Sequence, residues 1–367
     1  MKIIIDAHML GEQEGGNETY VAGLLQGFAS IFPKEDASIT AVYSPEYAGP
    51  QINQPGLSAM KFSSTNNFHR LLRETPAICK NSRANLLHAT YNVSPLLRCP
   101  YVITVHDVIF RVFPEYFSPR VRLLLSTLMP FSMWRAKAII TVSETSRQDI
   151  LRFYPFVRHK IVVIHSAAGP LVSTQPNMAS VQKYSNGNKF ILAVGNVQPR
   201  KNLVRLVQAY ILLRERQAIN AKLIIVGRSQ WHGSEIQRIA TNNAYSNDII
   251  FTGYLEDSSV AALLMNCSVF VYPSLYEGFG LPVLEAMSLG APVITSNSSS
   301  LPEVAGEAAR LIDPTSVEEI ADAIVQVLND DEFSDRLRKR GLQRAAQFTW
   351  AKTAQATLST YQQALQV

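Results

Sequence analysis

The 367-residue chain is too long for one ordinary hydrophobic core and predicts two domains. Its 47% hydrophobic and 17% charged residues exclude a disordered chain, and its three scattered cysteines, Cys79, Cys99 and Cys267, form no Cys-x-x-Cys pair, so neither a zinc site nor a disulfide framework is indicated. A net charge of +5 favours anionic partners without choosing among nucleotides, phospholipids and nucleic acid.

The opening Met1-Lys-Ile-Ile-Ile-Asp6 meets an acid before any signal-peptide core can form, and no apolar run reaches the roughly 18 to 20 residues of a membrane span. The expected setting is the reducing cytoplasm, with membrane attachment limited to the periphery. Lys2 to Ala7 predicts a short buried strand. The loop Gly11-Glu-Gln-Glu-Gly-Gly-Asn17 then feeds a helix from about Glu18 to Phe32. Its Gly15-Gly16 pair is not Gly-x-Gly-x-x-Gly, and a plain turn and a phosphate or acceptor contact stay equally open.

Further strands are expected at Ile39–Ser44, Leu86–Ala89, Val102–Asp107, Ala138–Ser143 and Ile161–His165, with helices between them, among them Arg120–Trp134 and Thr145–Phe153. Ser143 is a candidate N-cap. The polar, Gly- and Pro-containing stretch 169–188 predicts a linker, giving domains 1–168 and 189–349. A second series of strands follows at Phe190–Gly195, Lys222–Gly227, Ile249–Gly253, Ser268–Pro273, Pro292–Ser296 and Ala309–Ile312. The tail Trp350–Val367 carries Ala354, Leu358, Tyr361 and Leu365 on one helical face. Alternating β and α elements predict parallel sheets covered on both faces, with ligands at the strand C-terminal ends and a cleft between domains as the default site.

The most informative stretch is Val271 to Gly290. An apolar strand ends in a loop holding Glu277 and opens into a helix carrying Glu285, with Pro282 at its start and Gly290 where a left-handed cap belongs. Backbone N–H groups at Gly278, Phe279, Gly280 and Leu281 suit an anion, and the two acids beside them suit hydroxyls. A solvated loop acid and a helix-dipole acid would read the same way. Arg200 and Lys201 lie in the loop Gly195–Asn202 ahead of a helix near Leu203, placing two cations where a diphosphate fits, although a solvated basic pair is the plain alternative. His106, expected at the end of a strand, is either structural or a cleft residue oriented by Asp107. Arg228 and Tyr254 follow strand ends and suit a base pocket or ordinary loops. No Asp-x-Asp after a strand, no His-x-x-x-His and no P-loop occurs, so no metal is expected.

In its second half the chain resembles retaining glycosyltransferases of family 4, through Pro273-Ser-Leu-Tyr-Glu277-Gly-Phe-Gly-Leu-Pro-Val-Leu-Glu285-Ala, Gly290-Ala-Pro-Val-Ile and Leu301-Pro-Glu-Val-Ala-Gly306. The basic loop Gly195–Asn202 also matches, and Gly15, Gly16 and His106 match more loosely. The resemblance implies an α/β GT-B fold of two Rossmann-like domains facing across a cleft, with the terminal helix 350–367 packing back on the first. It implies that Glu285 holds ribose hydroxyls and that Glu277, with Gly278 to Leu281, holds the sugar and phosphates. Arg200 and Lys201 neutralise the diphosphate, His106 reaches the donor sugar, and Gly15 and Gly16 lie near diphosphate and acceptor.

The activity so implied is metal-independent hexosyl transfer with retention, from a nucleoside-diphosphate sugar to a glycan or lipid-linked acceptor in polysaccharide biosynthesis. From commonness alone, UDP-glucose is favoured as donor and GDP-mannose comes next; no cofactor and no nucleic acid take part. Peripheral contact with the inner face of the cytoplasmic membrane is allowed through Arg120–Arg135, although a core helix is the favoured use of that stretch. A nucleotide-sugar epimerase on the same fold and a binding protein that has lost transfer are the alternatives. Glu277→Ala and Lys201→Ala are expected to depress turnover far more than folding.

Overall fold

The computed structural model describes all residues except 12–14, 32–36, 48, 50–53, 229–234 and 367. Its described strands form two all-parallel sheets in two compact units. Unit 1 is Met1–Ala167 with Phe348–Val367, and unit 2 is Ala168–Gln347. In unit 1 the strands are β1 (Lys2–Asp6), β2 (Ser38–Tyr43), β3 (Ser58–Lys61), β4 (Leu86–Thr90), β5 (Tyr101–Thr104), β6 (Ala138–Thr141) and β7 (Ile161–Val163), in the order β3-β2-β1-β4-β5-β6-β7. In unit 2 they are β8 (Phe190–Val194), β9 (Lys222–Val226), β10 (Ile249–Gly253), β11 (Val269–Tyr272), β12 (Val293–Ser296) and β13 (Arg310–Ile312), in the order β10-β9-β8-β11-β12-β13.

Central strands such as β1 and β11 bury nearly every residue, because helices cover both faces of a parallel sheet. The edge strand β3 is exposed along all four residues and gives no apolar signal, which is why its sequence did not predict it. In each sheet the strand order reverses once, between β1 and β4 and between β8 and β11. At such a switch point the connecting loops diverge above the strand ends and leave room for a ligand.

Several expectations need correction. Residues 169–188 are no linker: they carry a 3-10 turn, Pro170–Ser173, and a helix, Met178–Ser185, that belong to unit 2. The strand expected at Val102–Asp107 stops at Thr104, so His106 lies in the loop beyond it. The helix Pro119–Arg135 is not a core helix either. It buries Met129, Ser132 and Met133 and exposes Val121, Leu123, Leu124, Phe131 and Trp134. The first helix starts at Gly16 and is described to Ile31, Phe32 lying outside the described residues. Ser143 does cap the helix Glu144–Phe153, accepting from the Ser146 N–H at 3.0 Å.

The final helix, Trp350–Gln366, packs on the helix Gly16–Ile31 and buries Ala354, Leu358 and Tyr361, with Leu365 half-buried. Two glycines one turn apart make this approach possible. A Cβ at Gly23 would lie 1.9 Å from Trp350 Cε2, and one at Gly27 would lie 2.2 Å from the Trp350 carbonyl oxygen. Deeper in the unit a polar chain ties the helix to the sheet: Tyr361 Oη meets His88 Nδ1 at 2.5 Å, and His88 Nε2 and Tyr20 Oη meet Thr104 Oγ1 at 2.8 and 2.9 Å.

Candidate active site

The switch point of unit 2 lies between the loops that leave β8 and β11. The β8 loop carries Arg200 and Lys201, and the β11 loop carries Glu277, so strand order alone brings opposite charges together. Glu277 Oε1 accepts from Lys201 Nζ at 2.7 Å, from Ser274 Oγ at 2.6 Å and from Tyr272 Oη at 2.9 Å. Its Oε2 accepts from Arg200 Nη1 at 2.7 Å. Lys201 also donates to Tyr272 Oη. Burial alone would raise the Glu277 pKa; Lys201 and Arg200 outweigh it and hold the carboxyl down to about 2. Two cations against one carboxylate leave the cluster with one formal positive charge.

The loop beyond Glu277 is pinned from β12. Ser299 Oγ accepts the Glu277 N–H at 2.9 Å, and Ser300 Oγ donates to the carbonyls of Glu277 at 2.9 Å and Phe279 at 2.7 Å. Past Gly278 and Phe279, Gly280 turns the chain at φ 113°, a conformation closed to ordinary side chains, into the helix Leu281–Ser288 with Pro282 in its first turn. Gly290 follows at φ 74° and closes it. Inside this helix Glu285 is buried, and its Oε1 accepts the Gly169 N–H at 3.2 Å. Burial pushes the Glu285 pKa up to about 7, against the Gly169 hydrogen bond and with help from Asp257. The stretch expected as a linker therefore supplies a contact to this acid.

The structure also joins Arg228 and Tyr254: the guanidinium lies 4.8 Å from the centre of the Tyr254 ring, which is half exposed. The Arg228 loop is tied to the β8 loop, since its N–H donates to Asn196 Oδ1 at 3.2 Å and its carbonyl accepts from Val197 N–H at 3.0 Å.

His106, Gly15 and Gly16 belong to unit 1. The His106 ring meets the Tyr20 ring edge-on at 4.7 Å and lies 5.7 Å from that of Tyr91, and its Nε2 is buried without a hydrogen-bond partner among the described residues. Burial holds its pKa down to about 4, so the ring is neutral at pH 7. Asp107 Oδ1 accepts from the Ile109 N–H at 3.1 Å, starting the next helix. Gly15, at φ 71°, precedes the helix that Gly16 opens, and no described residue stands within 4 Å of where its Cβ would be. Among the described residues no group of three or more His, Cys, Asp and Glu is placed to hold a metal ion.

Sequence reasoning assigned nothing to Tyr272, Ser274, Ser299 and Ser300. Ser274 sits inside the quoted Pro273-Ser block with Tyr272 just ahead of it, and the serine run Ser298–Ser300 just past a strand end is the available signal.

Residues 15–168 match the family model "Glycosyltransferase Family 4", and residues 175–344 match "Glycosyl transferases group 1". O-antigen chain mannosyltransferase B of Escherichia coli is 37% identical over 265 residues, covering 71% of this chain and 69% of that protein. Serotype-specific mannosyltransferase WbdA of Escherichia coli is 34% identical over 239 residues, 63% of this chain but 29% of its own length. Among solved structures, Anabaena HepE in complex with UDP and glucose superposes with a TM-score of 0.75 at 18% identity, covering 99% of each chain, a likeness of fold.

Proposed function

The chain belongs to glycosyltransferase family 4 and has the GT-B fold, and from there we propose that it moves mannose, with retention, from a nucleoside-diphosphate mannose to a glycan or lipid-linked glycan acceptor in polysaccharide assembly. The observation that carries this reading is the Lys201–Glu277–Arg200 cluster at the switch point of unit 2. The mannosyltransferase relatives favour GDP-mannose over UDP-glucose, the donor that commonness alone had put first.

Arg200 and Lys201 receive the diphosphate together with backbone N–H groups of Gly278 to Leu281. Glu277 fixes both cations, and its Oε2, which accepts from Arg200, has a further lone pair for a sugar hydroxyl. Glu285 takes the ribose hydroxyls, and Arg228 with Tyr254 flanks the base. His106 acts on the donor sugar as a neutral group, and Gly15 and Gly16 lie near diphosphate and acceptor. In the transfer step the bond from the sugar C1 to the diphosphate oxygen breaks while a bond to the acceptor oxygen forms on the same face. The acceptor proton passes to the departing diphosphate. Charge on that leaving group grows toward the transition state, so cations already in place hold it more tightly there than in the bound donor, which is the condition for acceleration. No metal ion and no protein nucleophile enter the scheme.

For a lipid-linked acceptor the exposed Leu123, Leu124, Phe131 and Trp134, with Arg120 and Arg122 on the same helix, suit peripheral contact with anionic lipid on the cytoplasmic face. No described helix is long and apolar enough to cross a membrane.

The test is a donor panel of UDP- and GDP-sugars, read by thermal shift and by nucleoside diphosphate release with an α-mannoside acceptor in EDTA. GDP-mannose is expected to give the largest shift and the fastest release. No shift and no release across the panel would overturn the reading.

A further inference from the structure

Tyr272, the last residue of β11, joins the charge cluster of unit 2 without carrying charge, and the chemistry of its neighbours fixes its hydrogen bonds. An ionised carboxyl can only accept, so the Tyr272 hydroxyl donates to Glu277 Oε1 at 2.9 Å. An ammonium can only donate, so Lys201 Nζ gives an N–H to a lone pair of the same phenol oxygen. Lys201 Nζ also donates to Glu277 Oε1 at 2.7 Å, and the three groups close a triangle.

The corners of the triangle differ in stiffness. Tyr272 is 3% exposed on a central strand, opposite Thr295 of β12, whose Oγ1 donates to the Tyr272 carbonyl at 3.0 Å. Its ring stacks on that of Phe270, which points to the same face of the sheet, with centres 5.9 Å apart and planes 17° from parallel. Lys201 instead ends a 3-10 turn, Pro199–Lys201, and carries its ammonium on a flexible four-carbon stem. Holding such a stem still costs up to about 2 kcal/mol of rotamer freedom. A contact from a rigid strand, made at an angle to the contact with Glu277, fixes the direction of the ammonium as well as its distance.

Charge selects the kind of group that can do this. Lys201 and Arg200 against Glu277 leave one positive charge, and a diphosphate needs it. A second carboxylate would hold the ammonium and cancel that charge, as Asp6 does to Arg70 in unit 1, where Oδ2 accepts from Nη1 at 2.5 Å. An apolar side chain would leave the charge and offer no acceptor. A phenol accepts and stays neutral: burial, with the Glu277 carboxylate beside it, pushes its pKa well above that of an ordinary tyrosine. Its own O–H is committed to Glu277, so it is no proton donor to a leaving group. We propose that Tyr272 is a positioning residue for transfer: its phenol holds the Lys201 ammonium where the departing diphosphate gains charge, and leaves the charge of Lys201 uncancelled. This deepens the mannosyl-transfer reading and rests on it.

The experiment is a double-mutant cycle of Tyr272→Phe and Lys201→Met in the full chain, with GDP-mannose and an α-mannoside acceptor. Tyr272→Phe alone is expected to lower kcat about tenfold while the donor and acceptor KM move less than about twofold, the pattern of a contact that counts in the transition state. On the Lys201→Met background the same change is expected to alter kcat less than about twofold, because the phenol then has no ammonium to hold. An unchanged kcat in Tyr272→Phe overturns the proposal. So does an equal loss on both backgrounds, which marks a structural role, and so does a rise in donor KM alone, which marks ground-state binding. A second arm needs no turnover. In protein labelled with 15N-lysine and saturated with GDP, the Lys201 ammonium signal, identified by its absence in Lys201→Met, is expected to exchange its protons about tenfold faster in Tyr272→Phe than in the native chain. Equal exchange in the two proteins overturns the proposal. If no donor turns over, the proposed function fails while the NMR arm still decides whether Tyr272 holds Lys201.

Discussion

The two switch points solve opposite problems. In unit 2 the buried Glu277 has cationic partners on both oxygens before any ligand arrives, and its backbone is tied down by Ser299 and Ser300. In unit 1 the charges of Asp6 and Arg70 cancel each other, while neutral or singly paired polar atoms are left over. The difference follows from energetics. An unpaired charge in a nearly dry place is far costlier than an unpaired amide or imidazole, so the charges are paired within the protein and the neutral groups need not be.

The sharpest way to break this contrast is at the pair itself. Lys201→Ala is expected to lower transfer by about a hundredfold to a thousandfold, the usual loss for one preorganised transition-state contact. The sequence alone favoured sparing of the fold. The buried pair changes that: Glu277 would stay in place with a cation gone, weakening unit 2 by roughly 3–5 kcal/mol. Lys201→Met combined with Glu277→Gln should restore most of that stability and none of the transfer, as read by urea unfolding and product release. A double variant as unstable as Lys201→Ala would show that the pairing is not what holds the site.

A second test uses pH, where the units should respond with opposite sign. In unit 1 burial holds His106 down to about 4 and His88 to about 3, below the 6.5 of an unfolded histidine. The unfolded chain binds those protons first, so stability is complete above pH 6.5 and falls on acidification, by roughly 2 kcal/mol per histidine at pH 5. In unit 2 Glu285 is pushed up to about 7 from 4.5, so the folded form binds the proton more tightly. That contribution is complete below pH 4.5 and is lost as pH rises through 7. Glu277, held down to about 2, adds stability above pH 4.5 that disappears only toward pH 2, so it leaves most of this window unchanged. Hydrogen-exchange protection factors at pH 5 and 7.5 should therefore fall in unit 1 and rise in unit 2 on acidification, and Glu285→Gln should flatten the response of unit 2. Parallel changes in both units would refute the contrast.

The smallest effect is expected at the rim of the charged site. Tyr254→Ala removes the ring beside Arg228 from a half-exposed position, so stability should change by no more than about 0.5 kcal/mol. The donor KM should rise only a few-fold in initial-rate measurements. A loss as large as that of Lys201→Ala would move the centre of recognition from the diphosphate to the base.

How far the sequence disclosed all this depends on how local each signal is. Buried parallel strands announce themselves as short apolar runs, and the helix after Gly280 is marked by Pro282 and Gly290. The acids and the basic loop of unit 2 were legible because strand–loop–helix units carry them in compact blocks. The partners of Glu277 were not, because Lys201 comes from another strand end, 76 positions away. Arg70 escaped for the same reason, 64 positions from Asp6 and delivered by a π-helical turn that no residue pattern encodes. The 169–188 stretch misled because its polar, Pro- and Gly-containing composition is that of a linker, whereas its backbone N–H at Gly169 is bound to Glu285.

The seat of Trp350 against Gly23 and Gly27 bears on how the chain is made. Unit 2 is one continuous segment, but unit 1 is closed by a helix synthesised after all of unit 2. On the ribosome, where domains ordinarily fold from the N-terminus onward, the first unit to emerge is here the last to be finished. Until residues 350–366 arrive, the glycine groove of the first helix lies open and the polar chain through His88 lacks its final hydroxyl, that of Tyr361. The Lys201–Glu277–Arg200 cluster can thus be assembled before its companion unit is complete, and synthesis through residue 366 becomes a condition for closing the first unit.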